Sequence, residues 1–338
     1  MARRERTTGL PRARQRSATV EQSRGVDERT LRFAVLGVGA VVLLVVLGFL
    51  AYRIYDQRVG VPNSPVLTVA GEEASLRYYT DRLGPFVQEN ANSGASLAVV
   101  EENLLTKLEE EELTVRIAEQ RGIDLSDDAV TQFIADGFGV PVGGNQSSYD
   151  SFYRNELRTN GFSDATYRRM KKAELADARL QEQLKEEVGT SGEQYTARIV
   201  LASSEEEAAS IHARIAAGED MGTIAQTDSI DLESRQNDGL LPPEPLELFP
   251  PEVRPAVEGA EPGTLLEPVQ VGDNWWVTRV ESVAEADYTE GQITTLTTMR
   301  LTELIEEERA NLGGQIERSL SADDIEWAEE HASLPTGG

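Results

Sequence analysis

The stretch FAVLGVGAVVLLVVLGFLAY, residues 33–52, decides how the rest of the chain is read, because none of its twenty residues is charged. At about 1.5 Å per residue, a helix of this length spans roughly 30 Å, which is the thickness of the hydrocarbon core of a bilayer. A buried core helix would usually be shorter and would carry a polar face. The stretch therefore predicts a single transmembrane helix.

The charges on either side of this stretch predict its orientation. Residues 1–32 contain nine arginines and four acidic residues, a net charge of +5, whereas the whole chain carries −27. The positive-inside rule then places residues 1–32 in the cytoplasm as a disordered basic tail, and the chain beyond the linker 53–65 outside it. Both the basic region and the apolar stretch are too long for a cleaved signal peptide. We therefore expect a single-pass protein of the cell membrane that keeps its anchor in the lipid bilayer.

The composition excludes several classes of function for the exported part. A strongly acidic chain does not suit nucleic acid, since a phosphate backbone needs clustered lysine and arginine. The absence of cysteine removes disulfides, thiol catalysis and cysteine-ligated zinc. The two histidines, His212 and His331, are far apart in sequence, so we expect neither a metal site nor a Ser-His-Asp triad. No cofactor is predicted.

Residues 66–190 show the period of amphipathic helices, and the first of these is predicted from Glu72 to Gln88. The clearest one runs from Leu97 to Ala118 with a single apolar stripe, and Ser126 and Ser163 stand where the caps of two further helices are expected. Core packing explains these apolar faces most simply. The alternative is that the helices leave an apolar groove for unfolded polypeptide.

Within residues 194–284 the period changes to that of strands. Apolar residues alternate with polar ones from Tyr195 to Leu201, a capped helix follows, and two further strands are expected around residues 265–271 and 275–283. This order predicts a small α+β domain with an antiparallel sheet. Residues 287–331 return to helices that we expect to pack back on the helical domain. The predicted fold class is thus α+β, with one transmembrane helix, a mostly helical domain and a small sheet domain.

Several sequence words resemble a known family in their order and spacing. Three segments resemble the parvulin-type peptidyl-prolyl isomerase domain, whose first strand reads A-[RS]-H-I-L. They are YTARIVLA (195–202), EEEAASIHARIAAGEDMGTIAQTDSID (205–231) and PGTLLEPVQVGDNWWVTRVESV (262–283). Three earlier segments are similar to the helical chaperone domain of SurA-, PpiD- and PrsA-like foldases. They are TVAGEEASLRYY (68–79), RGIDLSDDAV (121–130) and NGFSDATYRRMKKAELADARLQEQL (160–184). The resemblance covers about residues 64–320, nearly the whole exported chain.

The resemblance also implies a site, and this chain departs from it. The two active-site histidines of the family fall at Arg198 and Trp276, while the cysteine or aspartate position corresponds to Asp231. In the proline pocket, Phe249 takes the methionine position, and Val253 or Glu258 falls near the phenylalanine positions. The site residues implied are therefore Asp231 with Arg198 and Trp276 at degenerate histidine positions, and Phe249, Val253 and Trp276 for substrate.

Isomerisation of an X-Pro bond needs no nucleophile, but it needs a dry pocket and groups that favour the twisted amide over the planar one. Arg198 is always cationic and offers no acceptor, so it cannot replace a neutral imidazole. A pair between Arg198 and Asp231 is one hypothesis for its role.

Three functions remain open from the sequence. The first is a membrane-anchored extracytoplasmic chaperone or foldase that binds unfolded or nascent exported proteins, with isomerase activity reduced or lost. The second is an active, divergent prolyl isomerase. The third is a structural single-pass protein of the cell envelope.

Overall fold

The computed structural model describes residues 28–140 and 146–332, and it gives side-chain detail for these except residues 28–40 and 146. The prediction for the basic tail therefore falls, up to residue 27, outside the described residues. The chain divides into two compact units, Met1–Val61 and Pro62–Gly338.

The first unit contains one long helix, α1 (Glu28–Tyr55), which continues into a π-helical turn at Asp56–Gly60. The apolar side chains from residue 41 to residue 52 are exposed; Leu44, for example, is 67% exposed. Among the residues that the structure describes, no helix is both long enough and apolar enough to cross a membrane.

The second unit begins with a β-hairpin and a layer of helices. The strands are β1 (Pro65–Val69) and β2 (Glu72–Ser75); the helices are α2 (Leu76–Glu89), α3 (Leu97–Gln120), α4 (Asp127–Gly137), α5 (Gln146–Asn160) and α6 (Asp164–Val188). The predicted caps Ser126 and Ser163 are present, since their hydroxyls accept hydrogen bonds from Ala129 N and Thr166 N. Residues from Glu72 were predicted to be helical, which is wrong for β2; the helix begins at Leu76 and is capped by Ser75.

A four-stranded antiparallel sheet follows, in the strand order β4-β3-β6-β5. Two long strands, β3 (Ser191–Ala202) and β6 (Asn274–Asp287), form its centre, and β4 (Glu244–Pro245) and β5 (Val269–Val271) lie at its edges. Four helices belong to this part of the chain: α7 (Glu205–Ala216), α8 (Met221–Asp228), α9 (Leu232–Arg235) and α10 (Arg254–Val257). Strand β5 is shorter than the predicted strand 265–271.

The C-terminal elements return to the helical layer. They are α11 (Glu290–Leu312), β7 (Ile316–Arg318) and α12 (Ala322–His331). Helix α11 packs against α3 and α6, α12 packs against α2, and β7 pairs antiparallel with β1 to complete a second sheet in the order β2-β1-β7. The mixed α+β class, mostly helical with antiparallel sheets, is confirmed.

Candidate functional site

The four-stranded sheet has two buried faces, and the pairing of β3 with β6 assigns residues to each. Val200 lies opposite Val277, and both belong to the cluster formed with α7 and α8, which we call the helix-side cluster. Ala197 lies opposite Val280, and both belong to a cluster with Phe249 and α10, which we call the α10-side cluster. Successive residues of a strand point to opposite faces, so each sequence position is assigned to one cluster.

The two positions that the resemblance matched to histidines lie on opposite faces. Trp276 packs against the α10-side cluster. Arg198, opposite Arg279, shares the alternation of Val200 and lies over α8, where a Cβ on Gly222 would be 3.1 Å from its guanidinium nitrogen. Arg198 and Trp276 therefore do not form one site. If the family's strand motif A-[RS]-H-I-L is aligned with its alanine at Ala197, the histidine position falls at Ile199. Ile199 lies on the same face of the sheet as Trp276.

Arg198 is held by a carboxylate from the neighbouring strand. Its Nε donates to Glu281 Oε1 at 2.9 Å, and the same oxygen accepts from Arg279 Nη2 at 2.7 Å. Burial alone would raise the pKa of Glu281, but the hydrogen bonds from Arg279 and Arg198 lower it below its ordinary value. The hypothesis that Arg198 pairs with Asp231 is therefore wrong, because Glu281 takes that place.

A tight turn closes the other side of Arg198. Its guanidinium also donates to the carbonyl of Asp238, a residue with a positive φ of 54°. Gly239 follows with φ 77°, and a Cβ there would lie 2.4 Å from the carbonyl oxygen of Ile199. The turn thus requires glycine at this position, and it fixes the arginine against β3.

Asp231 has a local structural contact. Its carboxylate caps α9, with Oδ2 accepting from Ser234 N at 2.9 Å and Oδ1 from Glu233 N at 3.4 Å. Burial raises the pKa of Asp231, but the hydrogen bonds from Ser234 and Glu233 outweigh it and leave that pKa below the ordinary value. Asp231 is thus a carboxylate that is already engaged with backbone donors.

The two residues proposed for the proline pocket are buried. Phe249 is 3% exposed and Val253 is 1% exposed, both within the α10-side cluster. By contrast, Ile230 and Leu232, which flank Asp231, are 43% and 68% exposed. The sequence analysis did not single out these two residues, although two large aliphatic residues on either side of Asp231 are visible in the sequence.

The chemical capacity of this region is limited. Arg198 and Arg279 only donate hydrogen bonds, the indole of Trp276 donates one, and Glu281 is neutralised by the two guanidinium groups. The arrangement offers apolar surface and fixed donors. Among the described residues, the hydrogen bonds to the Asp231 carboxylate come from the backbone of Glu233 and Ser234 and not from a histidine.

Comparisons with known proteins agree with the resemblance found in the sequence segments. Residues 150–290 match the family described as the PPIC-type PPIASE domain. The foldase protein PrsA of Lacticaseibacillus paracasei is 32% identical over 112 residues, which are 33% of this chain and 35% of that protein. The PrsA of Lactococcus lactis subsp. cremoris is 31% identical over the same length. The chain thus spans about a third of the length of these curated relatives.

Two solved structures extend the comparison. The peptidylprolyl isomerase PrsA of Bacillus anthracis is 19% identical with a TM-score of 0.42, covering 62% of this chain and 96% of that one. A SurA-like chaperone of Campylobacter jejuni is 17% identical with a TM-score of 0.27, covering 74% of this chain and 96% of that one.

The antiparallel sheet and the family match together define the class of the matched region: residues 150–290 are similar to the parvulin-type, or PPIC-type, peptidyl-prolyl isomerase domain. The predicted resemblance to SurA- and PrsA-like parvulin foldases is confirmed as a similarity, over residues 150–290 for the family model and over 112 residues for the PrsA relative.

Proposed function

We propose that the chain is a membrane-anchored, extracytoplasmic folding factor that binds unfolded or nascent exported polypeptides and has reduced or no isomerase activity. One observation carries this proposal: in a domain that resembles an isomerase family, neither histidine position holds a histidine, since the first falls at Arg198 or, counted from Ala197, at Ile199, and the second falls at Trp276. Binding survives such a loss, since it needs only accessible surface, whereas rate acceleration needs groups placed for the twisted amide.

The engaged state of the remaining polar groups supports the same proposal. Asp231 caps a helix and Glu281 is bound by two arginines. Neither carboxylate is free to change its hydrogen bonds as an amide rotates. Phe249, Val253 and Trp276 are proposed as substrate contacts through the α10-side cluster, and the exposed Ile230 and Leu232 on either side of Asp231 are further candidates.

The proposed anchor is residues 33–52. The stretch is uncharged, it lies within the continuous helix α1, and its described side chains from residue 41 onward are exposed apolar groups. Exposed leucine, valine and phenylalanine on every side of a helix suit lipid better than water.

The proposed domains are 66–190 for the helical part, 194–284 for the parvulin part and 287–331 for the C-terminal helices.

The first test uses residues 59–338, which contain the whole second compact unit. We expect this fragment to suppress aggregation of a chemically unfolded client and to leave isomerisation of a proline tetrapeptide near the uncatalysed rate. Rapid isomerisation would instead establish the active, divergent isomerase. If both activities were missing, the structural envelope protein would be the remaining hypothesis.

The second test concerns topology. A reporter enzyme that works only outside the cytoplasm, fused after residue 338, should be active in cells. Activity of a cytoplasmic reporter at the same fusion point would contradict the anchor and the export of the foldase part together.

A further inference from the structure

A cleft separates α11 from the segment that follows β4. It consists of two adjoining cavities of about 710 and 580 Å³, which share Glu247, Arg254 and Met299 as walls. Each volume lies within the range of ordinary ligand sites. We call this the α11 cleft. It lies apart from Trp276, which lines neither cavity.

The cleft is long and narrow. One wall is α11 from Gly291 through Thr295 and Met299 to Glu303, with successive residues about one helical turn apart. At about 1.5 Å per residue this wall measures roughly 18 Å, which is the length of about five residues of extended chain. Pro250 and Pro251 lie on the opposite side, where their rings restrict the backbone. These dimensions suit an extended polypeptide better than a compact ligand.

The lining combines apolar surface with carboxylates. Leu296 is 9% exposed at the base, and Met299 is half-buried; a methionine side chain adapts its shape to different apolar partners. Glu244 is half-buried, and its carboxylate has no hydrogen bond or ion pair among the described residues. Burial raises the pKa of Glu244, and no neighbouring cation offsets that effect. Glu247 is exposed on the shared wall.

Two arginines line the cleft, and one of them, Arg300, forms an ion pair with Glu303. Arg254 donates from Nε to the carbonyl of Phe249 at 2.8 Å, and within residues 28–140 and 146–332 no carboxylate forms an ion pair with it. Its remaining N–H groups suit the carbonyl oxygens of a passing backbone. The cleft therefore presents one donor group for a peptide backbone, an apolar floor and two carboxylates that lack a cation.

We propose that the α11 cleft binds an extended polypeptide segment in which a lysine or arginine stands among apolar residues. The basic side chain pairs with Glu244 and Glu247, the apolar side chains contact Met299 and Leu296, and Arg254 donates to the backbone. This inference rests on the proposed function, since such a segment belongs to an unfolded client. It adds a second client-binding surface, which shares Phe249 with the proposed substrate contacts but does not include Trp276.

The test measures fluorescence anisotropy with the full chain in detergent micelles. One probe is a labelled octapeptide with two lysines among leucine, alanine and proline; the matched probe has glutamate in place of both lysines. We expect the lysine peptide to bind about tenfold more tightly. Glu247→Lys should remove that preference and improve binding of the glutamate peptide. Met299→Lys should weaken binding of the lysine peptide by a similar factor.

The matched control is Glu252→Lys, which changes the net charge equally at an exposed residue of the same segment outside both cavities. It should leave the preference between the two peptides unchanged. Thermal melts of all variants check that each one folds.

Several results would overturn the inference. Equal loss in Glu247→Lys and Glu252→Lys would mean a general charge effect. Loss in Leu232→Lys alone would place the peptide on the sheet face. A dimer that Met299→Lys converts to a monomer would make the cleft an interface between two copies. In each case suppression of client aggregation by the unchanged chain still decides the proposed function separately.

Discussion

The helical layer and the four-stranded sheet bury different kinds of polar group. In the part of the chain that the structure describes, every buried charged side chain lies in the helical layer; these are Arg82, Glu101, Glu109 and Glu308. The buried polar residues of the sheet region are neutral: Gln194, Ser229, Ser234 and Thr278. The sheet region instead buries apolar side chains on both of its faces.

This difference shows how each region obtains a single arrangement. Two helices with apolar stripes can slide along each other, but a buried ion pair satisfies its partners in one register only. Glu109 illustrates this, because it accepts from Arg309 and from Arg318, both at 2.8 Å, and so joins α3 to the C-terminal elements. In the sheet, hydrogen bonding between β3 and β6 already sets the register.

The largest expected effect on stability comes from breaking a buried ion pair of the helical layer. Arg82 is 7% exposed at its side chain and donates to both oxygens of Glu111 at 2.8 Å. Arg82→Met leaves the carboxylate of Glu111 without its cation, so we expect the free energy of unfolding to fall by about 3–5 kcal/mol. Urea unfolding measures it.

The control for this prediction is an exposed pair in the same layer. Arg179 and Glu182 are 59% and 64% exposed, so Arg179→Ala should change stability by less than about 0.5 kcal/mol. A similar effect of the two variants would mean that the buried pairs do not stabilise the helical layer in the way proposed here.

The second effect creates a cavity in the sheet region. Ile211 of α7 is 2% exposed within the helix-side cluster. Ile211→Ala should lower the free energy of unfolding by roughly 2–4 kcal/mol, and Ile211→Val by about 1 kcal/mol. The tryptophans report the two regions separately, since Trp275 and Trp276 lie in the sheet and Trp327 lies in α12. With Trp327→Phe as background, coincident fluorescence and circular dichroism transitions would show that both regions unfold together.

The sequence was sufficient for elements whose signal is local. The helix from Leu97 followed from its apolar period, and the helix after Ser163 followed from its apolar period and its cap residue. Alternation alone predicted β3. These signals act over a few residues, so no knowledge of the partner element was needed.

The sequence failed where a distant partner decides. Glu72–Ser75 contains good helix formers, but pairing with β1 makes it a strand. Strand β7 forms because β1, about 250 residues earlier, offers a free edge. The partner of Arg198 was missed for a related reason: with many carboxylates available, only the register of β3 and β6 selects Glu281. The alignment of the family's strand motif has the same difficulty. A shift of one residue moves the histidine position to the other face of the sheet.

The third effect depends on pH and distinguishes the two regions. Glu101 of α3 is 4% exposed, and its Oε1 is buried without a partner among the described residues. Burial, followed by the charge of Glu329 on α12 and a hydrogen bond shared with it, raises the pKa of Glu101 to about 7. The unfolded chain releases this proton near pH 4.5, so the folded state binds more protons between about pH 4.5 and 7. Stability therefore falls as pH rises through that window.

Glu101→Gln removes this penalty. The variant should be more stable than the unchanged chain by on the order of 2 kcal/mol at pH 8, and the difference should vanish near pH 4. Unfolding midpoints across this pH range measure it. Glu330→Gln, an exposed change on α12, should give a curve parallel to that of the unchanged chain; a pH-independent effect of Glu101→Gln would contradict the raised pKa.

The smallest effect concerns Asp231, where a structural role and a catalytic one predict different results. As a cap of α9, Asp231→Ala should cost about 1 kcal/mol, and Asp231→Asn should cost less, because asparagine also accepts from the backbone. The cap's contribution should be present above the ordinary aspartate pKa and lost as pH falls through the lowered folded value. Suppression of client aggregation should be unchanged in both variants. A catalytic role predicts a different result, which can be tested if the unchanged chain has measurable isomerase activity. If Asp231→Asn abolished that activity without changing stability, the carboxylate would act on the substrate. The sheet region would then retain a catalytic group despite Arg198 and Trp276.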